Sequence, residues 1–233
     1  MVKISDNLQD VQNRIAAAAL ASGRKAGEVR LLAVSKTWPA ESVHAAWVAG
    51  QRAFGENYVQ EGVTKITTLA NLPDLEWHFI GPLQSNKTRD VAEHFSWVHG
   101  IDRLKIAERL SSQRPGNLPP LNVCIQINVS GEASKSGVTP EAASALAHAV
   151  AKLPHLNLRG LMTIPEPTND ETLLKSRFAR LRELRDTLIE EGLPLDTLSM
   201  GMSHDFEQAI AEGATLVRVG TAIFGNRTYR TYP

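Results

Sequence analysis

A β-rich apolar run followed by a helical stretch, repeated along the whole sequence, is the pattern that most restricts how this chain can fold. Strand candidates fall at 29–35, 52–56, 76–81, 96–101, 121–129, 158–164, 197–200 and 216–220. Helical patterns lie between them, clearest at 140–152, 171–191 and 205–212, and an alanine-rich helix at 6–23 precedes the first strand. Pro39 suits the first turn of a helix, where a missing N–H costs nothing. Strict strand–helix alternation implies parallel strands joined by right-handed crossovers. Eight such units without a change of composition predict one α/β domain over residues 1–233, a (β/α)8 TIM barrel with an extra N-terminal helix. Periodicity alone leaves a doubly wound open sheet as the structural alternative.

Composition narrows the function classes. The 233 residues carry zero formal net charge, which argues against nucleic acid as the main partner, because phosphate-backbone binding needs a concentrated basic face. The N-terminus has no apolar signal core, and no apolar run approaches bilayer-spanning length. These features predict a cytoplasmic protein without membrane association. The single cysteine, Cys124, has no disulfide partner and sits in an apolar run that reads as inert core.

In such barrels the chemistry gathers at the C-terminal ends of the strands. Lys36 directly follows Leu31-Leu32-Ala33-Val34-Ser35 and would project into the barrel mouth. A half-buried ammonium there loses hydration, which lowers its pKa and leaves an amine able to condense with an aldehyde. A solvated lysine covering the rim with its stem fits the same residue.

The last two strands point to an anion. The run Leu216-Val217-Arg218-Val219-Gly220-Thr221 ends a strand in a close-approaching glycine and a hydroxyl. In Ser199-Met200-Gly201-Met202-Ser203-His204-Asp205, Ser203 is placed to cap the following helix. Loops after strands seven and eight are the usual phosphate site of this architecture. Arg218 shares a face with Gly220 by strand alternation. If that face is the lumen, its guanidinium needs an acceptor, which a pyridine nitrogen would supply; an outer-face salt bridge is the alternative. His78, inside an apolar strand, reads as a satisfied core histidine.

Together these segments resemble the pyridoxal phosphate homeostasis protein family, whose fold is like the N-terminal barrel of alanine racemase. The resemblance also rests on Phe54-Gly55-Glu56-Asn57-Tyr58, Trp77-His78-Phe79-Ile80-Gly81-Pro82-Leu83-Gln84-Ser85-Asn86-Lys87, Gln126-Ile127-Asn128-Val129, Ser134-Lys135-Ser136-Gly137 and Gly160-Leu161-Met162. It covers essentially the whole chain. It implies pyridoxal 5′-phosphate (PLP) held as a Schiff base on Lys36. Ser203, Gly220 and Thr221 would hold the phosphate, Arg218 would face the pyridine nitrogen, and Asn57 and Ser199 would line the pocket. It also suggests Lys135 as a secondary PLP-handling residue, against the plain reading of a solvated loop lysine.

The family implies a PLP carrier and supplier, with apo PLP-dependent enzymes as partners. A racemase is the alternative, but racemisation needs a base on each face of the substrate. In alanine racemases the second base is a tyrosine of the C-terminal β domain of a second subunit. This sequence stops at Pro233, so that domain is expected to be absent and the protein monomeric; Tyr229 and Tyr232 lie on the tail. A Schiff-base aldolase would use the same lysine and phosphate site, without paired acid/base residues near Lys36 to support it.

Overall fold

The computed structural model describes residues 3–131 and 136–226. Eight parallel strands close into a barrel in sequential order, β1 (Arg30–Val34), β2 (Ala53–Glu56), β3 (Glu76–Phe79), β4 (Trp97–Ile101), β5 (Leu121–Gln126), β6 (Leu156–Met162), β7 (Thr197–Ser199) and β8 (Leu216–Val219). Pairing of β8 with β1, in the register Leu32↔Arg218 and Ala33↔Val219, closes the sheet and rules out the open alternative. All eight expected strands form. The fifth is shorter than expected: after Gln126 only an isolated bridge, Ile127↔Val138, continues the pairing.

The helices are α1 (Ile4–Ala21), α2 (Ala40–Val48), α3 (Val59–Thr68), α4 (Thr88–His94), α5 (Leu104–Gln113), α6 (Pro140–Ala151), α7 (Glu171–Glu190), α8 (Phe206–Ala211) and α9 (Thr221–Phe224). None among the described residues is long and apolar enough to cross a membrane. Local chemistry sets several starts. Pro140 sits in the first turn of α6, and the Asp170 carboxylate accepts from Thr172 N and Leu173 N to cap α7. Helix α1 buries Leu8, Val11, Ile15 and Ala19, one face at helical spacing. Polar ties then bind this N-terminal segment to the last two β/α units. Asn7 Nδ2 donates to Ile223 O at 2.9 Å, Arg14 pairs with Glu207 at 2.6 Å, and Arg24 Nη1 donates to Ala214 O at 2.8 Å.

Strand alternation divides the apolar core. Outward residues such as Ala33, Phe54, Phe79, Val98, Ile125 and Val217 join the large layer beneath the helices. Inward residues form two small clusters inside the barrel, Leu32–Ala53–Leu216 and Trp97–Cys124–Met162. Between them lie the buried polar side chains of Arg218, Ser199, His99 and His78.

Candidate functional site

Lys36 follows β1 and is half-buried at the C-terminal end of the barrel. The backbone around it is clamped from the outer side of the sheet. Ser35 Oγ donates to Glu56 Oε1 at 2.6 Å. Lys65 Nζ, from α3, donates to Ser35 O at 2.8 Å and to Glu56 Oε1 and Glu61 Oε1 at 2.7 Å each. Glu61 Oε1 also accepts from Thr37 N at 2.6 Å. Thr37 has φ 69°, a left-handed conformation that a β-branched residue adopts only when its surroundings impose it. Lys65 and Glu56 are both buried, and Glu56 Oε2 has no partner. Burial pushes the Glu56 carboxyl up, against the opposing pull of Lys65. The sequence reading missed this cluster. Its only local trace is the Glu61/Lys65 pair at i,i+4 spacing.

Across the β1–β8 seam stands Gly220. A Cβ there would lie 3.0 Å from Val34 O, so the glycine lets two backbones meet just below Lys36. Gly220 N donates to Ser203 Oγ at 3.4 Å, and Thr221, exposed, opens α9. Ser203 is therefore beside Gly220, as expected, but it does not cap a helix. Residues 203–205 form a turn, α8 begins at Phe206, and Asp205 holds the N-cap position. The Asp205 carboxylate reaches back to accept from Met202 N at 2.5 Å, which stabilises the turn ahead of the helix.

Arg218 points into the lumen and is buried. Its Nη1 donates to Ser199 O at 2.6 Å and Ser199 Oγ at 2.7 Å, and its Nη2 donates to Thr163 O at 2.8 Å. Burial pulls the guanidinium down to about 10, partly offset by Asp205, so it remains a cation at neutral pH. No carboxylate is among its hydrogen-bond partners in this network. The outer-face salt bridge is thereby ruled out. Ser199, fully buried, sits between Arg218 and His99 Nδ1, the latter at 2.8 Å. Asn57 follows β2, and its Oδ1 is buried without a partner, a vacant acceptor beside the mouth. A Cβ on Gly81 would come within 2.6 Å of Asn57 O, so that loop too is built by close backbone approach.

His78 is fully buried with both ring nitrogens engaged, by Glu76 Oε1 at 2.7 Å and His99 Nε2 at 2.9 Å, as a satisfied core histidine requires. Cys124 is buried, and desolvation pushes its thiol up to about 12, the environment of an inert cysteine. Lys135 and the tail tyrosines Tyr229 and Tyr232 lie outside the described residues. Among the described residues no three His, Cys, Asp or Glu side chains group as a metal site. A cavity of about 340 Å³, lined by residues including Gln12, Arg30, Gln51 and Arg52, opens at the opposite, N-terminal face of the barrel. It is remote from the strand ends where this architecture places its chemistry.

Closed barrel, lysine after the first strand and glycine after the last define a class: the family described as alanine racemase, N-terminal domain, matches residues 5–228. The alanine racemase of Corynebacterium glutamicum shares the fold, with a TM-score of 0.71 at 17% identity over 99% of this chain and 63% of that one. Closer similarity is to smaller proteins. The chain is 62% identical over 229 residues to the pyridoxal phosphate homeostasis protein of Pseudomonas aeruginosa, covering 98% of both, and it belongs to the pyridoxal phosphate homeostasis protein family. The homologue of Escherichia coli is 56% identical over 232 residues, 98% of this chain and 99% of that one. The structure of PipY from Synechococcus elongatus with PLP bound superposes with a TM-score of 0.83 at 37% identity, over 95% of this chain and 100% of that one.

Proposed function

We propose that this protein binds PLP at the mouth of the barrel, through a Schiff base on Lys36, and buffers and supplies the cofactor inside the cell. The observation that carries the reading is the β1–β8 seam, which brings the lysine after one strand against the glycine after the other. Ser203 Oγ, Gly220 N and Thr221 would hold the phosphate, and the unpartnered Asn57 Oδ1 gives the ring edge an acceptor. Arg218 presents only donors, so facing the pyridine nitrogen it would favour that atom's unprotonated form. Ser199 acts through Arg218, by accepting from it. PLP, when bound, supplies an aldehyde for condensation with amines and a ring able to accept electrons.

The non-catalytic reading is supported by the homeostasis proteins of Pseudomonas aeruginosa and Escherichia coli, covered almost end to end, whereas the solved Corynebacterium racemase is 17% identical and this chain covers 63% of it. In this reading Lys36 serves as an anchor for stored cofactor rather than as half of a catalytic pair, which would need a base on each face of the substrate. Apo PLP-dependent enzymes are the recipients in this reading. The test is a transfer assay to an apo-enzyme, run with free PLP chemically trapped, for wild type and Lys36→Ala. Handover by wild type alone is expected. Release of α-deuterium from any free amino acid at enzyme-like rates would overturn the carrier reading in favour of a racemase.

A further inference from the structure

Five polar side chains cross the barrel interior from floor to mouth, and with both imidazoles neutral their donor and acceptor capacities admit one arrangement of protons. At the mouth end Arg218 Nη1 meets Ser199 Oγ at 2.7 Å, and Ser199 Oγ meets His99 Nδ1 at 2.8 Å. His99 Nε2 lies 2.9 Å from His78 Nδ1, and His78 Nε2 lies 2.7 Å from Glu76 Oε1. At the floor Glu76 Oε1 also accepts from Arg30 Nη2 at 2.5 Å. Residues of β8, β7, β4 and β3 thus form one unbroken path.

Arginine offers only donors, and an ionised carboxylate only acceptors. Both rings are fully buried, which favours their neutral forms; with Glu76 accepting, a neutral His78 carries its proton on Nε2, so its Nδ1 is an acceptor. His99 must then donate from Nε2, which leaves its Nδ1 to accept from the Ser199 hydroxyl. Ser199 Oγ in turn keeps its lone pairs for Arg218. Every bond runs from the cation toward the anion, and successive bonds polarise one another in a medium of low dielectric. Both imidazoles are neutral in this arrangement. That agrees with burial, which lowers both their pKa values, His99 further than His78. The Trp97 ring stacks on His78 at 5.2 Å with an interplanar angle of 6°, which fixes the ring plane on which the tautomer depends.

We propose that Glu76, His78, His99 and Ser199 are positioning residues for Arg218, a one-way hydrogen-bond chain by which the carboxylate at the barrel floor orients the guanidinium at the mouth. The part of this that concerns the cofactor rests on Arg218 facing the PLP ring, as proposed above; the chain itself does not. Arg218 needs such support because its other partners here are carbonyl oxygens, which hold it in place without balancing its charge.

The test has two arms. Long-range proton–nitrogen NMR on the protein without PLP at neutral pH is expected to show His78 and His99 as neutral, Nε2-protonated tautomers. An Nδ1-protonated or doubly protonated ring at either position overturns the chain. Glu76→Gln, at the half-exposed floor, is expected to shift the His99 ring nitrogens although it does not touch that ring; unchanged His99 resonances also overturn the chain. In the second arm, PLP is titrated into His99→Leu and His99→Gln. The leucine, with neither donor nor acceptor, is expected to weaken PLP binding about tenfold and displace the bound cofactor's visible band. The glutamine, which has both, is expected to restore band position and affinity to within about threefold. Leucine and glutamine variants that behave alike refute the positioning role. Wild-type protein that shows the expected tautomers yet binds no PLP refutes the cofactor reading instead, with the chain intact. If His99→Leu does not fold, Glu76→Gln takes its place in the second arm, and an unmoved band and affinity there refute the positioning role.

Discussion

The buried imidazoles should make the PLP-free protein acid-sensitive by an amount that can be worked out. In the folded state His78 and His99 are held neutral, chiefly by desolvation, and both pKa values lie below the ordinary value near 6.5. The unfolded chain binds those protons as pH falls through that value, so stability declines with falling pH. Each fully suppressed histidine costs about 0.1 kcal/mol at pH 7.5 and about 1.4 kcal/mol at pH 5.5. The pair therefore removes up to roughly 3 kcal/mol across that window, a large share of an ordinary domain's stability. Glu76, held near 2, is ionised in folded and unfolded states alike throughout the window and adds nothing. Glu56, pushed upward by burial, acts in the opposite sense and favours the folded state as pH falls. Comparing wild type with His99→Gln cancels its contribution. Urea unfolding of both proteins at pH 7.5 and 5.5 is the assay. The variant should lose less stability than wild type on acidification, by up to about 1.4 kcal/mol. Equal losses in the two proteins would refute the claim that His99 is held neutral inside the barrel.

Other outcomes follow from the site. Lys65→Met leaves Glu56 buried without its cation and should cost about 3–5 kcal/mol, read as a lower denaturation midpoint. Gly220→Ala forces a methyl against Val34 O and should weaken PLP binding about tenfold by displacing the phosphate-side backbone, measured by absorbance titration. Replacing Ser203 and Thr221 together with alanine should speed PLP loss on dilution; unchanged retention would remove both from the phosphate site. Cys124 should resist thiol reagents in the native protein and react once it is unfolded, as a timed labelling experiment would show.

The barrel was legible because each strand is an apolar run ended by turn residues, a purely local signal. Lys36, Arg218 and Gly220 were legible for the same reason: architecture assigns meaning to the end of a strand, and alternation assigns Arg218 its face. Ser203 shows the limit. A serine ahead of a helical pattern reads as a cap, but residues 203–205 are drawn into a turn closed by the Asp205 carboxylate on Met202 N, and the helix starts only at Phe206. The Glu56–Lys65–Glu61 clamp shows in the sequence only as its i,i+4 pair, since a glutamate ending Ala53-Phe54-Gly55-Glu56 gives no sign that a helix will bury it. The path through His99 was hidden for a related reason. Register shifts between β4 and β5, and nothing in the sequence signals which residues of Trp97-Val98-His99-Gly100-Ile101 then share the lumen with Ser199.

The β1–β8 seam bears on biosynthesis as well as on binding. Lys36 leaves the ribosome early and Gly220 late, while their meeting point exists only once the barrel has closed. A nascent or prematurely terminated chain can carry the lysine without the cradle that faces it. Stable cofactor loading would then report that the whole barrel has been made and shut, so an incomplete copy would sequester little of a scarce and reactive aldehyde.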